Sequence, residues 1–350
     1  MGYRICLLAN ENASKHELWV KAIQNSNQVE SFNIVDLTAD TWFRDITSVR
    51  YDIFLLRPPG KTDLFKRLYD ERVLLISKYL STPVYPSLQE VLIYENKRYF
   101  RDWLEVNGIP HPNTHIFFSK EEALSFVESN RSYPVVGKLN IGASGNGVVF
   151  LKRKEELLQY ISNAFCQGIS AVQGPKISKG SIFKKIVKAV TKKNFLKQRI
   201  KEYKTSILNL QYHFVILQEF IPHSYEWRCV RIGESYFAHK KIAKGGKTSG
   251  TLLKGYDPVP ESILNFIREI TEKHQLTSVS IDLFEHNNGY LVNEIQCFFG
   301  QSDPYQMLVD GKPGRYRFEQ NKWIFEEGMF NTTESYDLRL EHALSKIAKK

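Results

Sequence analysis

Hydrophobic and polar positions follow two different periods along the first ninety residues. Short apolar runs typical of strands occur at YRICLLA, SFNIVDL, YDIFLLR and TPVYP. Between them, SKHELWVKAIQ and TDLFKRLYDERVLLISKYL carry apolar residues at helical spacing. Strands that alternate with helices in this way predict a parallel sheet with helices packed on it. The pattern therefore predicts an α/β domain over residues 1–90.

The rest of the chain contains a second series of strands and helices. Residues 91–215 include an amphipathic helix at NKRYFRDWLEV, a helix at SKEEALSFVES and two strands, YPVVGKL and GVVFLK. Residues 216–350 include strand patterns at EWRCVRIG and SYFAHKK, then a helix and a hairpin. We expect the chain to divide into three parts at 1–90, 91–215 and 216–350.

A glycine-rich stretch separates the two strands in YPVVGKLNIGASGNGVVF. Lys138 ends the first apolar run, and Gly142, Gly145 and Gly147 follow. A Walker-type phosphate loop is excluded, because that motif places its lysine at the end of the loop and opens a helix. Two interpretations remain open. One is a glycine-rich turn; the other is a flap whose backbone N–H groups close over polyphosphate oxygens, with Lys138 at its base.

The stretch IDLFEHNNGYLVNEIQ predicts an antiparallel hairpin with two facing carboxylates. Asp282 and Glu294 are symmetric about residue 288, and Gln296 shares the face of Glu294 because side chains alternate along a strand. Facing carboxylates repel each other without a cation, and carboxylate and amide oxygens are ligands that Mg²⁺ prefers. A solvated pair on an exposed strand is the alternative. The apolar neighbours of both strands favour a metal site.

From about Asp52 to Gln296 the sequence resembles the ATP-grasp superfamily, with Lys138, the glycine stretch and the acidic hairpin in the family's order. It is most similar to the branch of ribosomal-protein glutamate ligase (RimK-like), glutathione synthetase and D-alanine–D-alanine ligase. The resemblance implies an ATP-grasp fold with an N-terminal Rossmann-like parallel-sheet domain over 1–90. Two lobes that grip ATP would follow, a lid lobe over 91–215 and a C-terminal lobe with the metal site over 216–350.

The resemblance also implies which residues hold the nucleotide. Lys97 would contact the α-phosphate side, and Lys138 would bridge the α- and β-phosphates. ILQEFIP resembles the hinge segment that grips adenine. The residues implied to cover the phosphates are Gly142, Ser144, Gly145 and Gly147. The residues implied to line the adenine site are Gln218, Glu219 and Ile221.

Further segments resemble the family's reaction site. In YEWRCV, Arg228 would stabilise the transferred phosphoryl group, while Glu226 would orient it or contact ribose. In AHKKIAKGGKTSG, either Lys240 or Lys241 would lie near an acyl phosphate. LLRPPG resembles a substrate-facing loop, which makes Arg57 a candidate to bind a carboxylate.

The implied metal ligands are Asp282, Glu294 and Gln296, holding Mg²⁺ or, alternatively, Mn²⁺. The family's metal strand usually ends Glu-x-Asn, whereas Gln296 stands in the place of the asparagine. The longer side chain leaves the coordination and the number of metal ions open.

The implied activity is an ATP- and Mg²⁺-dependent carboxylate–amine ligase that works through an acyl phosphate. Its substrates would be a small or polymer-linked carboxylate and an amine acceptor. Two alternatives stay open: an ATP-grasp kinase that phosphorylates a hydroxyl, and a nucleotide-gated binding protein without turnover.

The net charge of +10 is concentrated in one segment. Residues 176–204 contain eleven Lys or Arg and a single acid, Glu202, so the remaining chain is neutral. Three interpretations stay open: a solvated amphipathic helix, a docking surface for an acidic peptide, protein or polysaccharide, and attachment to an anionic membrane surface. Nucleic acid is disfavoured, because the aromatic residues of the segment lie on its apolar face.

The remaining features concern compartment and assembly. No stretch approaches the about 20 apolar residues that a membrane span needs. The four scattered cysteines show no CxxC spacing, so we expect neither a zinc site nor disulfides, and a cytoplasmic location. A homodimer is left open.

Overall fold

The computed structural model describes residues 2–12, 16–142, 147–170, 210–244, 247–248, 253–256, 258–301 and 303–348. The basic segment 176–204, together with Ser144 and Gly145, lies outside the described residues. The chain forms two compact units. The first comprises Met1–Pro59, Phe65–Pro112 and Ile221–Lys350, and the second comprises Gly60–Leu64 and Asn113–Phe220. The division into three parts remains a prediction.

The first unit begins with a parallel sheet in the order β2–β1–β3–β4. Its strands are β1 (Tyr3–Ala9), β2 (Val29–Asp36), β3 (Ile53–Leu56) and β4 (Val84–Tyr85), and the helices between them in the chain are α1 (Glu17–Asn25), α2 (Trp42–Thr47) and α3 (Asp63–Tyr79). Apolar residues cover both faces of the sheet, with Leu7 packing in the cluster of Trp19 and Leu8 in the cluster of Tyr69. The predicted α/β fold of this region is confirmed, and only the short helix α2 was not expected.

The first unit also contains an antiparallel sheet, in which the described residues form nine strands. The main order is β14–β13–β9–β10–β16–β15, with β11 and β12 paired to β10 and β17 paired to β16. The strands are β9 (Tyr225–Ile232), β10 (Ser235–Lys244), β11 (Lys247–Thr248), β12 (Lys254–Gly255), β13 (Ser278–His286), β14 (Gly289–Gln296), β15 (Leu308–Val309), β16 (Lys312–Glu319) and β17 (Lys322–Glu327).

One face of this sheet is covered by helices. The helices of this part of the chain are α4 (Leu88–Ile93), α5 (Lys97–Val106) and α8 (Glu261–Lys273). Phe100 and Leu104 of α5 and Ile267 of α8 pack in one buried cluster with Cys229 and Leu283 of the sheet. Because neighbouring residues of a strand point to opposite faces, the residues next to Cys229 and Leu283 face away from these helices.

The last fifty residues fold back on the beginning of the chain, although their sequence pattern gave no expectation. Besides strands β15 to β17 they form helix α9 (Tyr336–Ala348). Its residues Leu340 and Leu344 share a buried cluster with Trp19 of α1 and Leu7 of β1. The C-terminal helix therefore completes the core of the N-terminal parallel sheet.

The second unit is a smaller α/β structure built on an antiparallel sheet in the order β5–β8–β6–β7. Its strands are β5 (Thr114–Phe117), β6 (Val135–Lys138), β7 (Val148–Leu151) and β8 (Val215–Glu219), and its helices are α6 (Lys120–Ser129) and α7 (Lys154–Cys166). Val127 and Ile161 of the helices pack in one core with Val135 and Leu217. In the part of the chain that the structure describes, no helix is long and apolar enough to cross a membrane.

Candidate functional site

Cross-strand pairing places four polar residues in a row across β10, β9, β13 and β14. His239 lies opposite Arg228, Arg228 opposite Asp282, and Asp282 opposite Glu294. Directly opposite residues of a sheet have their side chains on the same face. We call these four residues the polar row. It lies on the face opposite the one where Cys229 packs with helices α5 and α8.

A network of four buried charges is centred on Asp282. Arg228 donates from Nε to Asp282 Oδ1 over 2.9 Å and from Nη2 to Oδ2 over 3.0 Å. Lys241 donates to Asp282 Oδ2 over 2.7 Å and to Glu226 Oε2 over 2.8 Å. All four residues are buried. Because two cations compensate two anions and each is hydrogen-bonded, the network meets the conditions for burying charge in a protein.

Electrostatics keep this network ionised. Burial raises the pKa of Asp282, but the adjacent Arg228 and Lys241 cations outweigh burial and hold that pKa below its usual range. Burial lowers the pKa of Lys241, yet Asp282 and Glu226 more than compensate, and the pKa is raised. Both groups are therefore charged at neutral pH.

His239 adds a neutral hydrogen-bonding group to the polar row. Its Nδ1 lies 2.8 Å from the backbone oxygen of Gln306, which can only accept, so Nδ1 carries the proton and Nε2 has a lone pair. Burial, followed by the charges of Arg228 and Lys254, lowers the pKa of His239 to about 3. Sequence reasoning missed this residue. Its position two residues before Lys241 on the same strand was the available signal.

The hairpin pairing of Asp282 with Glu294 is confirmed, although the turn alone would not produce it. The turn has two residues, Asn287 and Asn288, with φ of 47° and 62°, between the paired His286 and Gly289. Positive φ at both positions is typical of a type I′ hairpin turn. This turn alone would pair Asp282 with residue 293. A β-bulge next to Asp282 restores the pairing with Glu294.

The extra residue of the bulge is Asn293, which no pattern in the sequence indicated. A bulge sets two consecutive residues of one strand against a single partner. Asn293 Nδ2 donates to Glu226 Oε1 over 3.3 Å, so this side chain points to the face of the charged network. The bulge thus brings Asn293 and Glu294 to the same face of the sheet.

Gln296 links two carboxylates. Its Nε2 donates to Glu294 Oε1 over 3.0 Å and to Glu95 Oε1 over 3.1 Å. On the other side of Glu95, Lys97 Nζ lies 3.7 Å from Oε2. Lys97 and Gln296, which were assigned to phosphate and metal separately, are therefore joined by Glu95, a residue that the sequence pattern did not reveal.

The carboxylates of the hairpin fit a hard divalent cation. The repulsion between them is not the reason. Arg228 and Lys241 already neutralise Asp282, so repulsion between the facing carboxylates does not by itself require a bound metal. Within the described residues, no three His, Cys, Asp or Glu side chains form a metal-binding group. Mg²⁺ commonly binds through one or two carboxylates and completes its shell with substrate phosphates and water. Asp282 and Glu294 suit that mode, and their role as ligands stays a prediction.

The structure separates the two lysine candidates of β10. Lys240 lies opposite Trp227, on the other face of the sheet from Lys241. Its Nζ is 4.2 Å from the ring centroid of Tyr225 and 5.1 Å from that of Trp227. Only Lys241 thus joins the charged network. The third cationic candidate, Arg57, places its guanidinium 4.4 Å from the ring centroid of Phe298.

In the second unit, the glycine stretch joins two antiparallel strands, as its sequence indicates. Lys138 is the last residue of β6 and pairs with Val148 of β7. The next pair continues the ladder, with Leu139 N donating to Gly147 O over 2.9 Å. Gly142 and Gly147 flank residues 143–146, which lie outside the described part of the chain. This arrangement suits both a turn and a flap over phosphate.

The segment assigned to adenine begins in β8. Gln218 Nε2 donates to Thr114 Oγ1 over 2.8 Å, and Glu219 Oε1 accepts from the backbone N–H of Asn113 over 2.6 Å. Ile221 belongs to the first unit, where its carbonyl oxygen lies 2.7 Å from His223 Nδ1. Both polar side chains of β8 are thus engaged by their own sheet, and contact with adenine stays a prediction.

Solved structures with the same chain fold exist, although no protein-family profile and no curated protein matches the sequence. D-alanine–D-alanine ligase from Bacillus anthracis is 13% identical, with a TM-score of 0.55 over 99% of each chain. A RimK-domain ATP-grasp protein from Sphaerobacter thermophilus is 16% identical, with a TM-score of 0.50 over 83% of this chain and 90% of that one. The chain has an ATP-grasp fold.

The ATP-grasp fold expected from the order of Lys138, the glycine stretch and the acidic hairpin is confirmed. A further similar structure, N5-carboxyaminoimidazole synthetase from Staphylococcus aureus in complex with ADP, is 11% identical, with a TM-score of 0.54 over 86% of this chain and 72% of that one. At such identities the similarity establishes the fold alone. The roles of individual residues rest on the geometry described above.

Proposed function

We propose that this chain is an ATP-dependent carboxylate–amine ligase that uses Mg²⁺ and forms an amide bond through an acyl phosphate. One observation carries the proposal: the buried network of Arg228, Asp282, Lys241 and Glu226, which lies beside Glu294 on one sheet of an ATP-grasp fold. A network of this kind holds cations in fixed positions, as the transfer of a phosphoryl group between two anions requires.

The proposed reaction has two steps. A carboxylate oxygen of the first substrate attacks the γ-phosphorus of ATP, the bond from phosphorus to the β,γ-bridging oxygen breaks, and ADP leaves. The amine nitrogen of the second substrate then attacks the carbonyl carbon of the acyl phosphate. The C–O bond breaks, phosphate leaves, and the nitrogen loses a proton. Activation is needed because a free carboxylate would have to expel hydroxide or oxide.

The protein supplies preorganised positive charge. Arg228 is fixed by two hydrogen bonds to Asp282, and Lys241 by one bond each to Asp282 and Glu226. Since these contacts exist before substrate arrives, the cations need little reorganisation when charge develops in the transition state. Lys97 would neutralise phosphate oxygens, and the same role is proposed for Lys138.

The metal would be held by Asp282 and Glu294. Bound Mg²⁺, or Mn²⁺ in its place, would neutralise and align the phosphate oxygens of the nucleotide. Gln296 directs its amide nitrogen at the carboxylates of Glu294 and Glu95, so we assign it first to holding Glu294 in place and second to the metal.

The substrate classes are a small or polymer-linked carboxylate and an amine. An acidic peptide, protein or polysaccharide is the partner that would match the charge of residues 176–204. The cysteines are free, and three of them are buried, which suits action in a reducing cytoplasm.

Product analysis tests the proposal. The protein is incubated with MgATP, pooled carboxylates and pooled amines, and each pool is then omitted in turn. We expect phosphate release that requires both pools and falls at least 100-fold in Arg228→Lys, which keeps the charge but loses the two-bond contact with Asp282. ADP formation without free phosphate would instead identify a kinase. Tight binding of MgADP without any turnover would identify a nucleotide-gated binding protein.

A further inference from the structure

Glu95 occupies an unusual position between two helices. It follows helix α4 and precedes Asn96, whose side chain accepts from the backbone of Tyr99 at the start of helix α5. Its φ is 49°, in the left-handed region that glycine and asparagine adopt most readily. Its side chain is only 1% exposed. A buried glutamate in this conformation requires partners for its carboxylate.

Two of those partners, Lys97 and Gln296, were assigned to different roles, one to phosphate and the other to the metal. Oε2 lies 3.7 Å from Nζ of Lys97, the lysine assigned to phosphate. Oε1 accepts from Nε2 of Gln296 over 3.1 Å, and the same Nε2 also donates to Glu294 over 3.0 Å. Because both neighbours of the amide are carboxylates, its donor end must face them.

The length of Gln296 explains this arrangement. The glutamine nitrogen spans from β14 to the segment between α4 and α5, where it contacts Glu95. The amide of Gln296 is therefore the link between Glu294 of β14 and the buried Glu95.

We propose that Glu95 is a positioning residue that couples Lys97 to Glu294 through Gln296. This inference rests on the proposed function, in which Lys97 contacts phosphate and Glu294 contacts the metal. Glu95 would act on both through these neighbours. Its carboxylate fixes the ammonium of Lys97 on one side and, through the amide of Gln296, the carboxylate of Glu294 on the other. Occupation of the metal position and occupation of the phosphate position thus depend on each other.

The direction in which Glu95→Gln changes nucleotide affinity distinguishes a positioning role from simple charge repulsion. Removing a negative charge near a phosphate site strengthens anion binding if the charge acts only by repulsion. Calorimetric titration of ADP into Glu95→Gln, with Mg²⁺ and with a chelator, distinguishes the two. We expect MgADP affinity to fall about tenfold, while metal-free ADP affinity stays within threefold of the wild type, so that the coupling between Mg²⁺ and ADP is lost.

A matched control is available on helix α5. Glu105 is exposed and pairs with His111 over 3.4 Å, so Glu105→Gln removes the same charge without touching this site. It should leave both affinities unchanged. Gln296→Met, which keeps the length and removes the amide, should reproduce the loss of coupling, and the double variant with Glu95→Gln should be no worse than either single variant.

The outcomes are distinct. Wild-type Mg²⁺ dependence of ADP binding in Glu95→Gln, even with a lower melting temperature, would make Glu95 a structural residue and overturn the inference. Additive losses in the double variant would overturn the link through Gln296. A wild-type protein that binds neither ADP nor MgADP would overturn the proposed function, and the inference with it.

Discussion

Two buried lysine–aspartate contacts in the first unit have opposite electrostatic outcomes. Lys66 hydrogen-bonds both carboxylate oxygens of Asp70 one turn along helix α3 and also donates to Val91 O over 3.0 Å. Lys241 contacts Asp282 across strands over 2.7 Å. Burial raises the pKa of Asp70 to about 6 despite Lys66. The pKa of Asp282 is instead lowered.

The difference comes from the number and geometry of the cations. Asp282 has a second cation, Arg228, which binds both of its oxygens, and the two cations outweigh a burial that is more complete than that of Asp70. Asp70 has one lysine, and burial is the larger effect. An isolated buried ion pair such as Lys66–Asp70 thus has a structural role. A carboxylate that two cations keep ionised is typical of a functional site.

Asp282→Asn should produce the largest effect. We expect ligand-dependent phosphate release to fall at least 1,000-fold. The structure predicts a loss of about 3–5 kcal/mol in the free energy of unfolding, because Arg228 and Lys241 would be left buried with one anion. Phosphate assays and urea denaturation measure both. Unchanged stability would mean that the network is not buried as described.

Lys241→Met should lower phosphate release about 100-fold, because Asp282 loses the cation that complements Arg228. Lys240→Met is the matched control, one residue away on the other face of β10. It should stay within threefold of the wild type and lose about 0.5–1 kcal/mol of stability with its contacts to Tyr225 and Trp227. Equal losses of activity in both variants would contradict the assignment of faces.

Asp70 should produce a pH dependence of stability. The folded protein keeps a proton on Asp70 up to about pH 6, whereas the unfolded chain releases it near pH 3.8. The stabilisation is therefore full below pH 3.8 and is lost as pH rises to about 6, at no more than about 1.4 kcal/mol per pH unit. Asp70→Asn cannot titrate. Its unfolding free energy, measured between pH 4 and 7, should lack this decline. If the wild type and Asp70→Asn gave parallel curves, the pKa of Asp70 in the folded protein would not be about 6.

The smallest effect should come from replacing both members of the Lys66–Asp70 ion pair. Lys66→Met combined with Asp70→Leu removes both charges and keeps similar volumes, so stability at pH 7 should be unchanged or higher. Phosphate release should stay within threefold of the wild type. A large loss of turnover in a folded double variant would mean that this pair, like the network at Asp282, takes part in function.

The sequence was sufficient for the fold class and for several site residues. Strand–helix alternation predicted the parallel sheet, and the order of Lys138, the glycine stretch and the hairpin predicted the ATP-grasp fold. Strand alternation also contained the information to separate Lys240 from Lys241. That choice required knowing which face of β10 meets Arg228.

The residues that sequence reasoning missed are defined by tertiary contacts. Glu95 matters because Gln296, 201 residues later, reaches its carboxylate. Asn293 faces the network because of a bulge that no periodicity reveals. Helix α9 has ordinary amphipathic composition, and its role became visible only from its contacts with α1.

The bulge at Asn293 also determines which of two possible strand registers the hairpin adopts. A continuous ladder from the Asn287–Asn288 turn would place Asn293 opposite Asp282 and turn Ile295 towards the polar face. The bulged ladder buries Ile295 to 2% exposure and brings Glu294 to Asp282. Burial of one isoleucine therefore selects the register of the candidate site.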